Sequence, residues 1–170
     1  SRMNRWAAVA YEIPQKPMIS VIMANYNCEA FLASAIRSVL NQTNTALELI
    51  LVDDGSSDRS VEIAQEIAKQ DARLSVFSGT RYGGPAPVRN HALERAKGDW
   101  VAIVDSDDLI RPDRLERMLT AAEDTGADIL IDNLAVFQSD GPANIFTMFE
   151  GDLRDRPARI MESEYIKANM

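Results

Sequence analysis

Three carboxylates stand within four residues at Asp105, Asp107 and Asp108, directly after the apolar run Val101–Val104. Like charges at the end of a buried strand repel one another, and a bound cation offsets that repulsion most simply. Oxygen ligands favour a hard ion, so this Asp-x-Asp (DXD) cluster predicts Mg²⁺ or Mn²⁺ bridging to a diphosphate. A solvated acidic loop that caps the next helix is the alternative, and Asp108 also suits that role.

Two further polar groups each follow a predicted strand. Ala24 and Tyr26 come after the first strand, where the small alanine admits a flat ring and the tyrosine could stack on a base. Asp53 and Asp54 come after the second strand, where a carboxylate could accept a hydrogen bond from the imide N–H of uracil. Taken singly, a loop tyrosine packed on its own scaffold and a common Asp-Gly-Ser turn explain these residues equally well.

Arg89 follows a loop rich in glycine and proline, residues 81–87, and stands near the start of a predicted helix. The free amide groups at a helix start favour anions, so Arg89 is placed to meet a diphosphate or an acidic partner in the site. An ordinary surface salt bridge is the competing interpretation.

The elements that must position these residues alternate between strand and helix. Apolar runs predict strands over 18–23, 47–52, 74–77, 100–104 and 129–137, and helical spacing predicts helices over 30–41, 61–68, 88–96 and 112–122. Ser56 or Ser57 is the expected N-cap of the second helix. Ligands collect at the carboxyl ends of parallel strands. The pattern therefore predicts an α/β fold with three α/β/α layers and a mostly parallel central sheet.

The bulk composition narrows the function classes. A formal charge of -8 disfavours a nucleic-acid binder, and 46% hydrophobic residues are typical of an ordinary folded domain. The longest apolar runs fall far short of the roughly 20 residues that span a bilayer, so no transmembrane segment is predicted. Cys28 is the single cysteine, which excludes an internal disulfide and fits a reducing compartment.

Taken in order, the motifs resemble the inverting family 2 glycosyltransferases of bacterial polysaccharide biosynthesis, which have the GT-A (Rossmann-like nucleotide-diphospho-sugar transferase) fold. The resemblance covers about residues 17–137 and is carried by the segments 19–27, 38–43, 52–58, 88–90, 96–100 and 105–108. It implies transfer of a sugar, with inversion, from a nucleotide diphosphate donor, with a UDP-sugar favoured, to a saccharide or lipid-linked acceptor.

The same resemblance implies roles for individual residues. The nucleobase would be held by Ala24, Tyr26 and Asp54, and the metal by Asp107. Asp105 would hold the ribose or sugar, with Asp53 and Arg89 as supporting nucleotide-binding residues. Three departures leave the choice of donor open: Ala24 stands where the family usually has proline, Tyr82 where it has asparagine, and Val88 where alanine is common.

The resemblance also implies a catalytic base on a later segment, for which residues up to Met170 offer no match. We therefore expect an N-terminal extension or linker at 1–16, a nucleotide-sugar-binding core at 17–138, and the start of an acceptor-side region at 139–170 of a longer enzyme. A cytoplasmic location, peripheral to the inner membrane, follows from the family. A non-catalytic nucleotide-binding domain and a sugar-1-phosphate nucleotidyltransferase remain alternatives, although no basic glycine-rich loop follows the first strand.

Overall fold

Four parallel strands form a sheet with the order β3-β2-β1-β4. A computed structural model describes residues 17–79, 81–132, 135–136 and 146–147 of the chain. The strands are β1 (Ile19–Asn25), β2 (Leu47–Asp53), β3 (Leu74–Phe77) and β4 (Trp100–Ile103). Because β1 pairs with both β2 and β4, the carboxyl ends of the three strands lie side by side.

Helices cover both faces of this sheet. Helices α1 (Leu32–Leu40) and α2 (Ser60–Ala68) pack on one face, against the alternate residues Val21, Met23, Leu49 and Leu51. Helix α3 (Pro85–Leu93) packs on the other face through Val88 and Ala92, against Ile22, Ile50 and Val52. Each fully buried aliphatic side chain contributes about 1.5–3 kcal/mol relative to exposure, so these two cores hold the strand ends in place. The predicted three-layer α/β/α fold is confirmed.

Gly98 lets β4 approach β1 closely. A Cβ at this position would stand 2.5 Å from the backbone nitrogen of Ser20 and 2.7 Å from the carbonyl oxygen of Met18, which no real side chain tolerates. The Ser20 hydroxyl accepts a hydrogen bond from the Gly98 N–H at 2.8 Å and donates one to Glu48 at 2.7 Å. This contact fixes the register of β4 and therefore the height at which Asp105 leaves the sheet.

The chain divides into two units, Ser1–Glu116 and Arg117–Met170. Helix α4 runs from Arg114 to Thr125, and Gly126 follows it with φ of 64° and an N–H that donates to the carbonyl of Ala122, as expected of a C-terminal glycine. In the second unit β5 (Ala135–Val136) and β6 (Phe146–Thr147) pair antiparallel. The predicted extension at 1–16 and, apart from 146–147, the predicted region at 139–170 lie outside the described residues.

Three local predictions are wrong. Helix α3 begins at Pro85, since proline lacks only a donor that the first turn leaves unused, and not near Val88. Residues 129–132 are not a strand. The residue before α2 is Arg59, not Ser56 or Ser57. The Ser56 hydroxyl instead donates to Asp53 in the turn after β2. At the start of the helix, the Asp58 carboxylate accepts the N–H of Ser60 at 3.0 Å.

Candidate functional site

An open cleft of about 340 Å³ lies at the carboxyl ends of β1, β2 and β4. This volume is at the lower end of the range of small-molecule sites. Most of the residues singled out in the sequence share this cleft with the first residues of α3. The lining consists of Ala24, Asn25, Tyr26, Asp54, Gly84, Pro85, Val88, Arg89, Asp105, Ser106 and Asp107.

The two adjacent aspartates after β2 have different environments. Asp53 is 1% exposed, and its carboxylate accepts hydrogen bonds from the Asn25 amide at 2.7 Å and from the backbone N–H groups of Gly55 and Ser56 at 3.0 and 2.8 Å. The Ser56 hydroxyl donates to it as well. Asp53 therefore builds the turn beneath the cleft, and its predicted contact with a nucleotide stays a prediction.

Asp54 holds the glycine-rich loop against the end of β2. Its Oδ1 accepts the backbone N–H groups of Tyr82 and Gly83, the latter at 2.9 Å, and its Oδ2 accepts that of Gly84 at 2.8 Å. Gly83 and Gly84 have φ of 88° and 131°, a region that favours glycine. A carboxylate offers about four acceptor positions, so one position on Oδ2 receives no hydrogen bond from the described residues.

These contacts decide the charge state of Asp54. Burial raises the pKa of its carboxyl group, but the N–H groups of residues 82–84 and the nearby Arg81 guanidinium more than offset burial, so the pKa lies below the ordinary value of 3.8. Asp54 is consequently a carboxylate at neutral pH, an acceptor of hydrogen bonds and never a donor.

Tyr26 stands at the mouth of the cleft on a loop that is fastened to the turn after β2. Its side chain is 50% exposed. The next residue, Asn27, has a φ of 47°, donates its N–H to the Ser56 hydroxyl at 2.8 Å and accepts the Ser57 N–H at 2.8 Å. Tyr26 is thus half-exposed on a loop that these reciprocal hydrogen bonds hold in place.

Arg89 lies on α3 and forms an ion pair across the cleft with Asp105, with 2.6 Å between Nη2 and Oδ1. The arginine side chain is 33% exposed, and its Nε is buried without a hydrogen-bond partner among the described residues. A single monodentate contact leaves most of the guanidinium's five N–H groups available. The pair is therefore able to rearrange around an anionic ligand.

Asp107 and Asp108 are exposed beside Asp105. Partial loss of solvent around its carboxyl group, followed by repulsion from Asp107 and Asp105, raises the pKa of Asp108, with Arg114 opposing the rise. The described residues contain no cluster of three or more acidic, histidine or cysteine side chains arranged to hold a metal alone. Mg²⁺, however, is commonly held by one or two carboxylates together with substrate phosphates, and an exposed Asp107 in this cleft fits that arrangement.

Two features of the site were not predicted from the sequence. The loop N–H groups bonded to Asp54 come from residues 28 to 30 positions away. Tyr82 turns its hydroxyl to His91, 3.1 Å from Nε2, so this departure from the family pattern packs on α3. The glycine pair at 83–84 was the one signal in the sequence, since adjacent glycines mark unusual backbone conformations.

Within the described part of the chain, no helix is long and apolar enough to cross a membrane.

Comparison with known proteins agrees with this geometry. Residues 20–166 match the profile of "Glycosyl transferase family 2". The putative glycosyltransferase EpsH of Bacillus subtilis is 38% identical over 154 residues, 91% of this chain and 43% of its own length. The succinoglycan biosynthesis protein ExoO of Rhizobium meliloti is 38% identical over 129 residues, 76% of this chain and 36% of its own length.

Among solved structures, S. aureus TarS 1–349 in complex with UDP-GlcNAc superposes with a TM-score of 0.62 and 32% identity, covering 72% of this chain and 37% of that one. The chain thus spans about two fifths of the length of the curated relatives it matches. A match over most of this chain to the family profile, on a fold of the GT-A type, shows that the chain belongs to glycosyl transferase family 2.

Proposed function

We propose that this chain is the donor-binding part of a glycosyltransferase that takes a sugar from a nucleotide diphosphate, with a UDP-sugar favoured. The observation that carries the proposal is the convergence of an aromatic ring, an ionised carboxylate, an arginine and an acidic pair on one cleft. These groups match the successive parts of a nucleoside diphosphate: a base, a ribose and two phosphates. The UDP-GlcNAc complex of the related TarS supports the choice of donor.

The base would lie on the exposed face of Tyr26, with Ala24 leaving room beside it. The open acceptor position of Asp54 Oδ2 would receive the N–H of an imide or lactam base. Uracil and guanine offer such an N–H, whereas the corresponding ring nitrogens of cytosine and adenine are acceptors, which a carboxylate repels. We therefore expect UDP to bind more tightly than CDP.

Asp105 would meet the ribose or the sugar, and Arg89 would meet the diphosphate. Arg89 already stands within 2.6 Å of Asp105, so a diphosphate would compete with that carboxylate for the guanidinium. Once released from the ion pair, the Asp105 carboxylate could accept a hydrogen bond from a hydroxyl group of the ribose or the sugar. This exchange links the arrival of the phosphates to the orientation of the ribose.

Asp107 would hold a divalent cation, Mn²⁺ or Mg²⁺, with the donor phosphates completing its ligands. When bound, the ion would neutralise charge on the departing nucleotide. The chain itself contributes the exposed carboxylate of Asp107, two residues after Asp105, which pairs with Arg89. Both aspartates follow β4, whose pairing with β1 fixes where they leave the sheet.

We further propose that transfer proceeds with inversion onto a saccharide or lipid-linked acceptor in exopolysaccharide or cell-surface glycan synthesis. The succinoglycan biosynthesis relative supports this setting. Inversion needs a carboxylate base on the face opposite the leaving diphosphate. We infer that this base belongs to the acceptor-side region that follows the core at 17–138, in an enzyme that works in the cytoplasm at the inner membrane.

Calorimetric titration tests the donor site. UDP, GDP and CDP are titrated into the chain with Mn²⁺, with EDTA, and into Asp107→Ala. We expect UDP binding that weakens at least tenfold in EDTA and in the variant, with CDP weaker than UDP in the wild type. The exposed control Asp124→Ala, which removes the same charge outside the cleft, should bind as the wild type does. Absence of UDP and GDP binding by the folded chain would refute the proposal.

A further inference from the structure

Arg81 stands over the exposed ring of Tyr26. Its guanidinium carbon lies 5.7 Å from the ring centroid, within the distance at which a cation is attracted to an aromatic face. Arg81 is exposed and makes no hydrogen bond within the described part of the chain. It does not line the cleft itself, but its guanidinium stands beside Tyr26, which does.

The backbone of Arg81 is held in place, whereas its guanidinium makes no hydrogen bond among the described residues. Its Cβ and Cα lie 3.5 and 3.8 Å from the point where a side chain at Gly55 would begin, so the residue leans on the turn beside Asp54. The following N–H, of Tyr82, donates to the Asp54 carboxylate. The stem of Arg81 is therefore anchored next to the carboxylate, and only the guanidinium has freedom to move.

We propose that Arg81 forms the second face of the nucleobase site, so that the base lies between the Tyr26 ring and the guanidinium. The proposal rests on the proposed function and adds a residue that binds the base. Stacked planar groups are separated by about 3.5–4 Å, so a base between the two needs about 7–8 Å. The guanidinium has to rise by about 2 Å, which an exposed four-bond stem allows.

A guanidinium suits this position better than an ammonium group. It is planar, stacks on flat rings and is weakly hydrated, whereas lysine is a compact and strongly hydrated point charge. Asp54 would select the base through its N–H group, and Arg81 would add affinity for whichever base Asp54 accepts. Asp54 would therefore set the specificity for the base and Arg81 would raise the affinity, since stacking itself discriminates little among bases.

The test compares Arg81→Ala, Arg81→Lys and the control Arg37→Ala, an exposed residue of α1 whose removal changes the net charge equally. Dissociation constants are measured for UDP in Mg²⁺, and for inorganic diphosphate as a competitor of UDP. We expect UDP to bind about three- to tenfold more weakly to both Arg81 variants. Inorganic diphosphate should change less than twofold, and Arg37→Ala should match the wild type.

Three outcomes would overturn the sandwich. They are UDP affinity unchanged in Arg81→Ala, full retention in Arg81→Lys, or an equal loss for UDP and inorganic diphosphate. The second would show that a positive charge without a planar group is sufficient, and the third would show that the charge acts on the phosphates. Failure of the wild-type chain to bind UDP or GDP would refute the proposed function itself, whereas wild-type binding with any of these three outcomes refutes the role of Arg81 alone.

Discussion

Replacing Asp54 with asparagine removes the negative charge that holds residues 82–84 against the end of β2. The carboxylate accepts three backbone N–H groups, two on Oδ1 and one on Oδ2. An asparagine of the same shape keeps one oxygen and turns an NH₂ group, itself a donor, toward the third N–H. The substitution keeps the shape of the side chain and tests its hydrogen bonds together with its charge, which the Arg81 guanidinium also meets.

The expected loss of stability follows from these bonds. A backbone N–H left without a partner costs about 1–3 kcal/mol, and bonds to a charged acceptor are roughly twice as strong as neutral ones. Gly84, whose N–H loses its acceptor, is only partly buried, so water recovers part of this loss. We expect the free energy of unfolding to fall by about 2–3 kcal/mol, which for a slope of about 2 kcal/mol/M lowers the urea midpoint by about 1–1.5 M.

Urea unfolding followed by circular dichroism at pH 7 measures the difference, with Glu66→Gln as the matched control. Glu66 pairs with Lys69 on the surface of α2, with side chains 59% and 69% exposed, so its loss should cost well under about 1 kcal/mol. If Asp54→Asn unfolds at the same urea concentration as this control, the carboxylate does not hold the loop.

Acid should remove the difference between the wild type and Asp54→Asn. The pKa of Asp54 is lowered in the folded chain, so its stabilisation is fully present above the unfolded value of about 3.8 and is lost as the pH falls through the folded pKa. The two urea midpoints should therefore differ at pH 7 and converge below pH 3.8. A difference that grows on acidification would contradict the direction of the shift.

Substitutions at three further positions test other parts of the structure. Gly98→Ala should lower the free energy of unfolding by about 2–3 kcal/mol in urea, because its Cβ meets the backbone of Ser20; an unchanged midpoint would show that β4 shifts freely. Asn27→Ala should cost about 1–2 kcal/mol, and Asn27→Gly, which keeps the positive φ, should cost less; the reverse order would be incompatible with the observed loop. Arg89→Ala should weaken calorimetric binding of UDP at least tenfold and leave uridine unchanged, and equal losses for both would argue against a phosphate contact.

The fold was predictable because strands buried on both faces are continuous apolar runs, which are easy to recognise in a sequence. Strands β1 and β2 are runs of apolar residues that the helices cover, and strand order then places Tyr26, Asp54 and Asp105 at one edge. The boundary of α3 was not predictable from periodicity, since its first turn is made of prolines that carry no apolar stripe. Strand β5 lies within the strand predicted over 129–137, whereas the two residues of β6 are too few for a periodic signal.

The different roles of individual residues within the site were harder to predict from the sequence. Asp53 and Asp54 are neighbours of the same type, and the sequence does not say that the first closes its own turn while the second binds a loop 28 residues away. The pairing of Arg89 with Asp105, and the position of Arg81 over Tyr26, likewise depend on how α3 and its loop cross the sheet. Contacts of this kind come from tertiary packing, which local patterns do not encode.

The most direct test of the donor site is a crystal structure of the chain grown with UDP and Mn²⁺, with anomalous data collected near the manganese edge. We predict a uracil ring against the face of Tyr26 with its N–H within hydrogen-bond distance of Asp54, and one anomalous peak between the diphosphate and Asp107. A nucleotide bound elsewhere, or a base turned away from Tyr26 and Asp54 with no peak near Asp107, would contradict the account of this cleft.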